Sequence, residues 1–565
     1  MFALIWSVGC TTDEAGRVRF SEFLRSEMMA NGSNCCLPTG NNGEDVYSFR
    51  FDPDSGKWKP WMKAGEVFEI DSKLSFSEIV VPTNDSVRNT YLMDLLLMNK
   101  KHVLMVGETG TGKTVNINQY LLGQSTVDDR PINENCLPIN ITFSAQTSAN
   151  MTQDMLDNKM EKRRKGIYGP SAGKQYIVYV DDLNMPKRET YGAQPPIEIL
   201  RQWFDQAGWY DRKELNIRKI IDITMICSMG PPGGGRQEIT ARFLRHFNII
   251  GYTELSDGSK SLIFQTILAN FLSRIDGDVE DVCKPMVKST IELFNSIVAE
   301  LLPTPAKSHY TFNLRDLAKV FQGCLMIDPK KVNGSDSYVR LWVHECKRVF
   351  ADRLTNKGDL DWFEVKVKGL MKDNFQMEWG EVVGSESERL IYGDYMVPGA
   401  DPKYYEQVTD MAKLKSTIEE YLMDHNAESK QPMPLVMFMD AIEHVSKIAR
   451  VLRQPLGNCL LLGVGGSGRQ SMTKLANYVS QFTLFQVEIS KGYGLTEWRE
   501  DLKNCLLNAG LKKKPTTFLF SDTQIVVEVS ERSERALRKT RVRATATTKT
   551  NLLNYFCSIA ALVFR

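Results

Sequence analysis

The sequence predicts an α/β fold: a parallel sheet flanked by helices with a helical lid, present in tandem and cut short in its second copy. Three observations predict it. The apolar run Val103-Leu104-Met105-Val106 leads straight into Gly107-Glu108-Thr109-Gly110-Thr111-Gly112-Lys113-Thr114. A second continuous apolar run, Tyr176–Val180, ends in Asp181-Asp182. A related glycine frame follows Leu460-Leu461-Leu462, reading Gly463-Val464-Gly465-Gly466-Ser467-Gly468-Arg469-Gln470-Ser471. Unbroken apolar runs suit strands buried on both faces of a parallel sheet. Strands separated by helical stretches suit βαβ units.

The first motif has the makeup of a phosphate-binding loop. Gly107 and Gly112 let the backbone curl so that successive N–H groups converge. A helix opening near Lys113, supported by Val115, Ile117, Tyr120, Leu121 and Leu122, presents its positive dipole end to an anion. Lys113 reaches the β and γ phosphates, and the Thr114 hydroxyl sits on Mg²⁺. The acid pair completes the site. Asp181 is expected to hold the metal shell and Asp182 to orient the attacking water. Ile139–Phe143 and Ile221–Cys227 read as further strands, and Thr114, Asp181 and Ser228 all fall at or near strand ends, where open α/β sheets place their sites.

The helical stretches follow. In Thr240–His246, Arg242 and Arg245 flank Phe243 and would either end a surface helix or offer a guanidinium to a neighbouring module. Asn313 is an N-cap with Asp316 three residues on, opening a helix through Phe321 whose first turn carries Arg315. Arg315 is therefore placed to swing towards a γ phosphate from a lid.

The second loop departs from the first where chemistry resides. Arg469 stands in place of the lysine, and the larger planar guanidinium is not an equivalent. Gln470 has no hydroxyl, and Ser471 is rotated about 100° along the helix. Thr517-Phe518-Leu519-Phe520 is followed by Ser521-Asp522, so the first acid is missing. This loop is expected to hold phosphate at most, without hydrolysis.

At 565 residues, with 42% hydrophobic and 25% charged residues, the chain suits several globular domains. A net charge of +1 gives no bulk attraction to nucleic acid or membrane, and no basic-aromatic stripe suggests a nucleic-acid-dependent ATPase. The 11 cysteines include no CxxC pair, which points to a reducing compartment without zinc. His344-Glu345 lacks a metalloprotease partner and reads as a helix-surface pair. Met1–Val8 lacks a basic flank, so it makes a poor signal peptide. The apolar run at 559–564 is too short to cross a bilayer.

Two such loops, the second degenerate, resemble consecutive AAA+ modules of a dynein heavy chain. Tyr176–Pro186, Tyr191–Pro196, Gly230–Arg236 and Arg242–Phe247 are similar to the third motor module of axonemal dyneins. Gly463–Ser471 and Phe518–Gln524 resemble the start of the fourth. Phe2–Gly9 resembles the end of the second module's helical subdomain, and Leu341–Glu345 with Asp352–Leu354 resembles the third module's lid. The implied layout is a helical end at 1–35, a connector at 36–75 and a large subdomain at 76–255. A lid at 256–375, a connector at 376–430 and the next large subdomain at 431–525 follow. Residues 526–565, beyond the resemblance, are expected to be an atypical, poorly ordered tail from a premature end or a misjoined coding segment.

The resemblance also implies roles. Val81, Pro82 and Thr83 would border the adenine, Arg315 would be the lid arginine, and Arg242 and Arg245 would serve the preceding module. The cofactors would be ATP and Mg²⁺. The partners would be neighbouring AAA+ modules, intermediate and light chains, and microtubules, with no nucleic acid and no membrane. The setting would be the cytoplasm, the cytoskeleton and the axoneme of a cilium or flagellum. The third module of a dynein gates how the motor grips microtubules. Departures weaken turnover: Asp182 replaces the usual Glu, and Gly230 stands where related modules often carry an asparagine. The expected activity is therefore slow ATP hydrolysis acting as a gate, weak in the isolated chain because the fourth module's arginine is expected beyond the resemblance. The alternatives are a module that holds nucleotide without turnover, or another AAA+ remodelling ATPase such as a giant ribosome-assembly factor.

Overall fold

The computed structural model describes residues 1–30, 37–38, 45–62, 68–71, 74–123, 135–233, 235–275, 279–384, 389–400, 402–429, 431–455, 457–463, 466–489, 493–521, 524 and 561–564. The chain divides into two units, Met1–Thr266 and Ile267–Arg565.

In the first unit, five parallel strands form one sheet. Their order across it is Asn248–Tyr252, Val103–Gly107, Ile223–Met229, Gln175–Asp181, Cys136–Thr142. Side chains alternate between its faces, as the pleat requires. Leu104, Val178, Val180 and Cys227 pack on one face with Ile197, Leu200, Trp203 and Phe243. Val103, Met105, Ile177, Tyr179 and Ile226 pack on the other with Leu92, Met93, Leu97 and Ile117. Both faces are covered, which is why the strands read as unbroken apolar runs. The strand expected from Ile221 begins two residues later, at Ile223, because Asp222 adopts φ 56 and turns the chain. A smaller sheet (Glu161–Arg164, Ile167–Gly169, Ile217–Ile220, Gly208–Tyr210) is inserted beside the main one in sequence.

The second unit begins with helices. Leu314–Cys324 opens on a capping box: Asn313 caps the helix and the Asp316 side chain accepts the Asn313 N–H. Gly334–Val349 carries His344 and Glu345, and here the structure corrects the sequence reading. They are no surface pair: His344 is 3% exposed and Glu345 is fully buried. His344 Nδ1 lies 3.0 Å from the Leu390 carbonyl, and Glu345 accepts from Arg450 and from the Tyr405 hydroxyl. Lone charges in an apolar stripe are read as solvated by default. Partners 60 and 105 residues away in sequence made burial tolerable.

Gly323 exists because of that carboxylate. A Cβ there would lie 1.8 Å from Glu345 Oε2. Gly323→Ala is expected to cost about 1–3 kcal/mol by overpacking, since a paired buried carboxylate cannot swing away; chemical denaturation of the full chain measures it.

Further on, Cys459–Leu461, Ala561–Phe564, Thr516–Ser521 and Thr483–Gln486 form a second parallel sheet, in that order. Of the expected tail, 526–565, only Ala561–Phe564 lies within the described residues. It pairs as a strand between the second loop's strand and the Thr516–Ser521 strand. In the first unit that middle position belongs to Ile223–Met229.

Candidate functional site

The sheet of the first unit brings three chain segments to one edge. Val106 sits opposite Met229 and Cys227 opposite Val180, so the strand ends at Gly107, Met229 and Asp181 finish at one edge of the sheet. The loop leaving Gly107 takes left-handed backbone at Gly110 (φ 95) and Gly112 (φ 82), and the helix Lys113–Leu121 starts at once. Gly107 has another duty than the curl expected of it. A Cβ there would lie 2.4 Å from the Tyr252 carbonyl oxygen, so glycine is needed for close approach to the neighbouring strand.

Lys113 is 9% exposed. Its ammonium donates to the Gly107 carbonyl (2.8 Å), the Glu108 carbonyl (2.6 Å) and Thr111 Oγ1 (3.2 Å). Burial pushes its pKa down to about 8, and the Arg236 cation pushes the same way. Asp181, Glu108 and Asp182 oppose them, which places both carboxylates of the acid pair within electrostatic reach of the lysine.

Asp181 Oδ1 accepts from Ser228 Oγ (2.6 Å) and from the Asp182 N–H (3.0 Å). Ser228 Oγ is in turn 3.0 Å from the Tyr179 hydroxyl. Tyr179 is buried, and its phenol is held neutral first by that burial and then by the Asp181 charge. Hard cations take oxygen ligands, so the Thr114 hydroxyl and the Asp181 carboxylate are of a kind that suits Mg²⁺. Asp182 adopts φ 55. Asp tolerates that region better than longer side chains do, which gives a backbone reason for Asp at this position.

A cleft of about 200 Å³ opens beside the loop, lined among others by Ile79, Val81, Thr83, Gly112, Asn116 and Tyr252. Val81 and Thr83 line it; Pro82 does not. Thr83 is also the N-cap of Asn84–Met98, in a reciprocal pair with Ser86 (2.8 and 3.2 Å). The exposed Glu108 and Thr109 form the outer lip of the loop.

Sequence reasoning passed over three residues. Tyr179 looked like one more core position. Asn184 donates to the Gly230 carbonyl (2.8 Å) and accepts from the Gln237 N–H (2.8 Å), pinning the loop after Ile223–Met229 to the acid strand. Arg236 Nη2 donates to Thr109 Oγ1 (2.7 Å). A lone arginine closing a glycine run after a strand was the available signal.

Arg242 is exposed, and Arg245 donates to Asp205 Oδ1 (2.9 Å) within the same unit. Arg315 belongs to the second unit, exposed in the first turn of its helix. In the second loop, Gly466 (φ 80) and Gly468 (φ 72) repeat the backbone of Gly110 and Gly112, and helix Arg469–Val479 follows. Arg469 lies back along the loop, its Cδ 3.5 Å from where a Gly463 Cβ would be. The strand that would carry the acid ends in Ser521, whose N–H is accepted by the Gln524 side chain (2.8 Å). Val464, Gly465 and Asp522 lie outside the described residues.

Comparison with known families matches residues 68–255 to the P-loop containing dynein motor region and 433–539 to the P-loop containing dynein motor region D4. Residues 1–63 match the dynein heavy chain AAA lid domain, and 286–382 an AAA+ lid domain. The chain belongs to the dynein heavy chain family. Its loop-bearing modules are AAA+ P-loop modules, a nucleotide-binding ATPase class. The D4 match runs to residue 539, past Gln524, where the sequence reading ended the resemblance. Among curated relatives, dynein axonemal heavy chain 1 of Homo sapiens is 46% identical over 93% of this chain and 13% of its own length. Dynein axonemal heavy chain 3 of Homo sapiens is 40% identical over 93% of this chain and 13% of its own. Dynein axonemal heavy chain 12 of Rattus norvegicus is 38% identical over the whole of this chain and 18% of its own. The chain therefore spans roughly an eighth of the first relatives it matches. Among the described residues, no helix is long and apolar enough to cross a membrane, and no His/Cys/Asp/Glu cluster has the makeup of a metal site.

Proposed function

We propose that the loop at 107–114 binds Mg-ATP and hydrolyses it slowly, and that this slow step gates coupling between modules of a dynein motor ring. The observation that carries the reading is the meeting of Lys113, Asp181 and Asp182 at one sheet edge beside a cleft of about 200 Å³. Backbone N–H groups of Gly110–Lys113 and the helix start cradle the phosphates. The Lys113 ammonium neutralises the β and γ oxygens. Thr114 and Asp181 would hold Mg²⁺, which supplies charge neutralisation between those phosphates. Asp182 orients water. It is one methylene shorter than the usual glutamate, and its left-handed backbone fixes where the carboxylate points.

Residues 76–255 and 256–375 serve in this reading as large subdomain and lid. The 1–35 segment ends a preceding module, 431–525 begins the next, 36–75 and 376–430 connect them, and 526–565 is its own segment. Arg315 is the lid arginine, Arg242 and Arg245 face a preceding module, and the 463–471 loop holds phosphate without chemistry. In the complete protein the partners are microtubules and other dynein chains, and the setting is the ciliary or flagellar axoneme named by the relatives. The structure also gives one specific ground for a module that holds nucleotide without turnover: the Gly230 position offers no side chain towards the phosphates.

The two readings separate on Asp182→Asn. Asn tolerates the same backbone, so ATP binding should stay within about threefold of wild type while turnover falls about 10²–10⁴-fold. Single-turnover assays with labelled ATP measure both. No phosphate release from wild type, even in the complete motor, would favour the holding module instead.

A further inference from the structure

The loop after Ile223–Met229 carries a cation towards the phosphate loop. Gly233 (φ 122) and Gly235 (φ 87) make a tight turn. Gly233 and Arg236 exchange two backbone hydrogen bonds, N–H to carbonyl at 3.2 and 3.0 Å. Asn184 clamps the turn at both ends, at Gly230 and Gln237. Arg236 is thus held by backbone on a short, braced hairpin. Its guanidinium lies flat over Gly230: a Cβ there would be 2.8 Å from both Cζ and Nε. Its Nη2 reaches Thr109, on the lip of the phosphate loop, while its Nε is buried with no hydrogen-bond partner among the described residues.

We propose that Arg236 reads the terminal phosphate of the nucleoside triphosphate held at 107–114, acting from the space that the missing side chain at Gly230 leaves open. The inference rests on the site reading above and adds a specificity-determining residue to it. Two cations, Lys113 and Arg236, lie within electrostatic reach of each other. Their mutual repulsion is relieved by an anion richer in charge than a diphosphate. A guanidinium presents a fork of donors to phosphate oxygens, and its unpaired Nε is the donor such an oxygen would take. Thr109 holds the fork at the lip of the loop. The Gly230 substitution noted in the sequence therefore replaces one phosphate contact by another, from a different position in the same loop.

The test is the affinity of the full chain for a non-hydrolysable ATP analogue and for ADP, each with Mg²⁺, measured by calorimetry. Arg236→Ala should weaken triphosphate binding about ten- to a hundredfold, the loss of one charge-assisted hydrogen bond, and change ADP binding less than about threefold. Gly230→Ala, which pushes the guanidinium aside, should move the triphosphate affinity in the same direction by a smaller factor. Arg236→Lys should recover part of it. Equal losses for the two nucleotides, or no loss in either Arg236→Ala or Gly230→Ala, would overturn the role of Arg236 and leave the site standing. Wild type binding neither nucleotide would overturn the site and this proposal together. Should Arg236→Ala fail to fold, the Gly230→Ala and Arg236→Lys ratios decide alone.

Discussion

Lys113→Ala is expected to weaken ATP binding by about a hundredfold or more, the loss of charge-assisted hydrogen bonds to two phosphates. The lysine is almost wholly buried, and its neighbours include both acids of the site. Its removal takes away an ammonium aimed along the loop. The same residue sets a pH dependence. Burial first, and Arg236 second, hold its pKa at about 8 in the free protein. A bound triphosphate favours the charged form and raises that value. Below pH 8 the ammonium is already protonated, so affinity is flat with respect to this group. Above it, binding must take up a proton, and affinity should fall by up to about tenfold per pH unit until the raised pKa is passed. Calorimetry in buffers of different ionisation enthalpy reads the proton directly. Equal ATP affinity for wild type and Lys113→Ala, or affinity that rises above pH 8, would remove the loop from the mechanism.

Breaking the Glu345–Arg450 pair should be the most damaging single change to the second unit. Glu345 is fully buried and Arg450 is 6% exposed. Arg450 Nε lies 3.2 and 3.1 Å from the two carboxylate oxygens, its Nη2 also contacts the carboxylate, and the Tyr405 hydroxyl donates from 3.0 Å. Truncating either partner strands a buried charge, and Glu345→Ala or Arg450→Ala should each cost about 3–5 kcal/mol. Replacing both, as Glu345→Leu with Arg450→Met, should return most of that stability, because an apolar pair of similar volume avoids the desolvation cost. Denaturant titration of single and double variants gives the coupling. Single losses below about 1 kcal/mol would show that the pair is solvated in solution.

Much of the site was legible in the chain. Local order signals it: glycines at the left-handed positions of each phosphate loop, an apolar run before each loop, an acid pair at the end of a strand. Gly110 and Gly112, and in the second copy Gly466 and Gly468, adopt the backbone that their spacing requires. The capping box at Asn313 was readable for the same reason, since its partners lie three residues apart. What stayed hidden depends on distant neighbours. Gly107 is glycine because Tyr252 passes beside it, and Gly323 because Glu345 does. Tyr179 reads as core until the sheet sets it beside Ser228 and Asp181. Arg236 reads as loop until Asn184 and two glycines aim it at Thr109.

The sequence by itself determined the parallel α/β architecture, the phosphate loop with its lysine and threonine, the acid strand and the altered second copy. Each of these is fixed by steric and hydrogen-bonding rules acting within a few residues. Only the tertiary structure decided which buried charges find partners, which glycines serve close approach rather than a turn, and which arginine leans over the phosphate loop. Those outcomes depend on the order of strands in the sheet, and strand order is set by packing between segments that no local pattern connects.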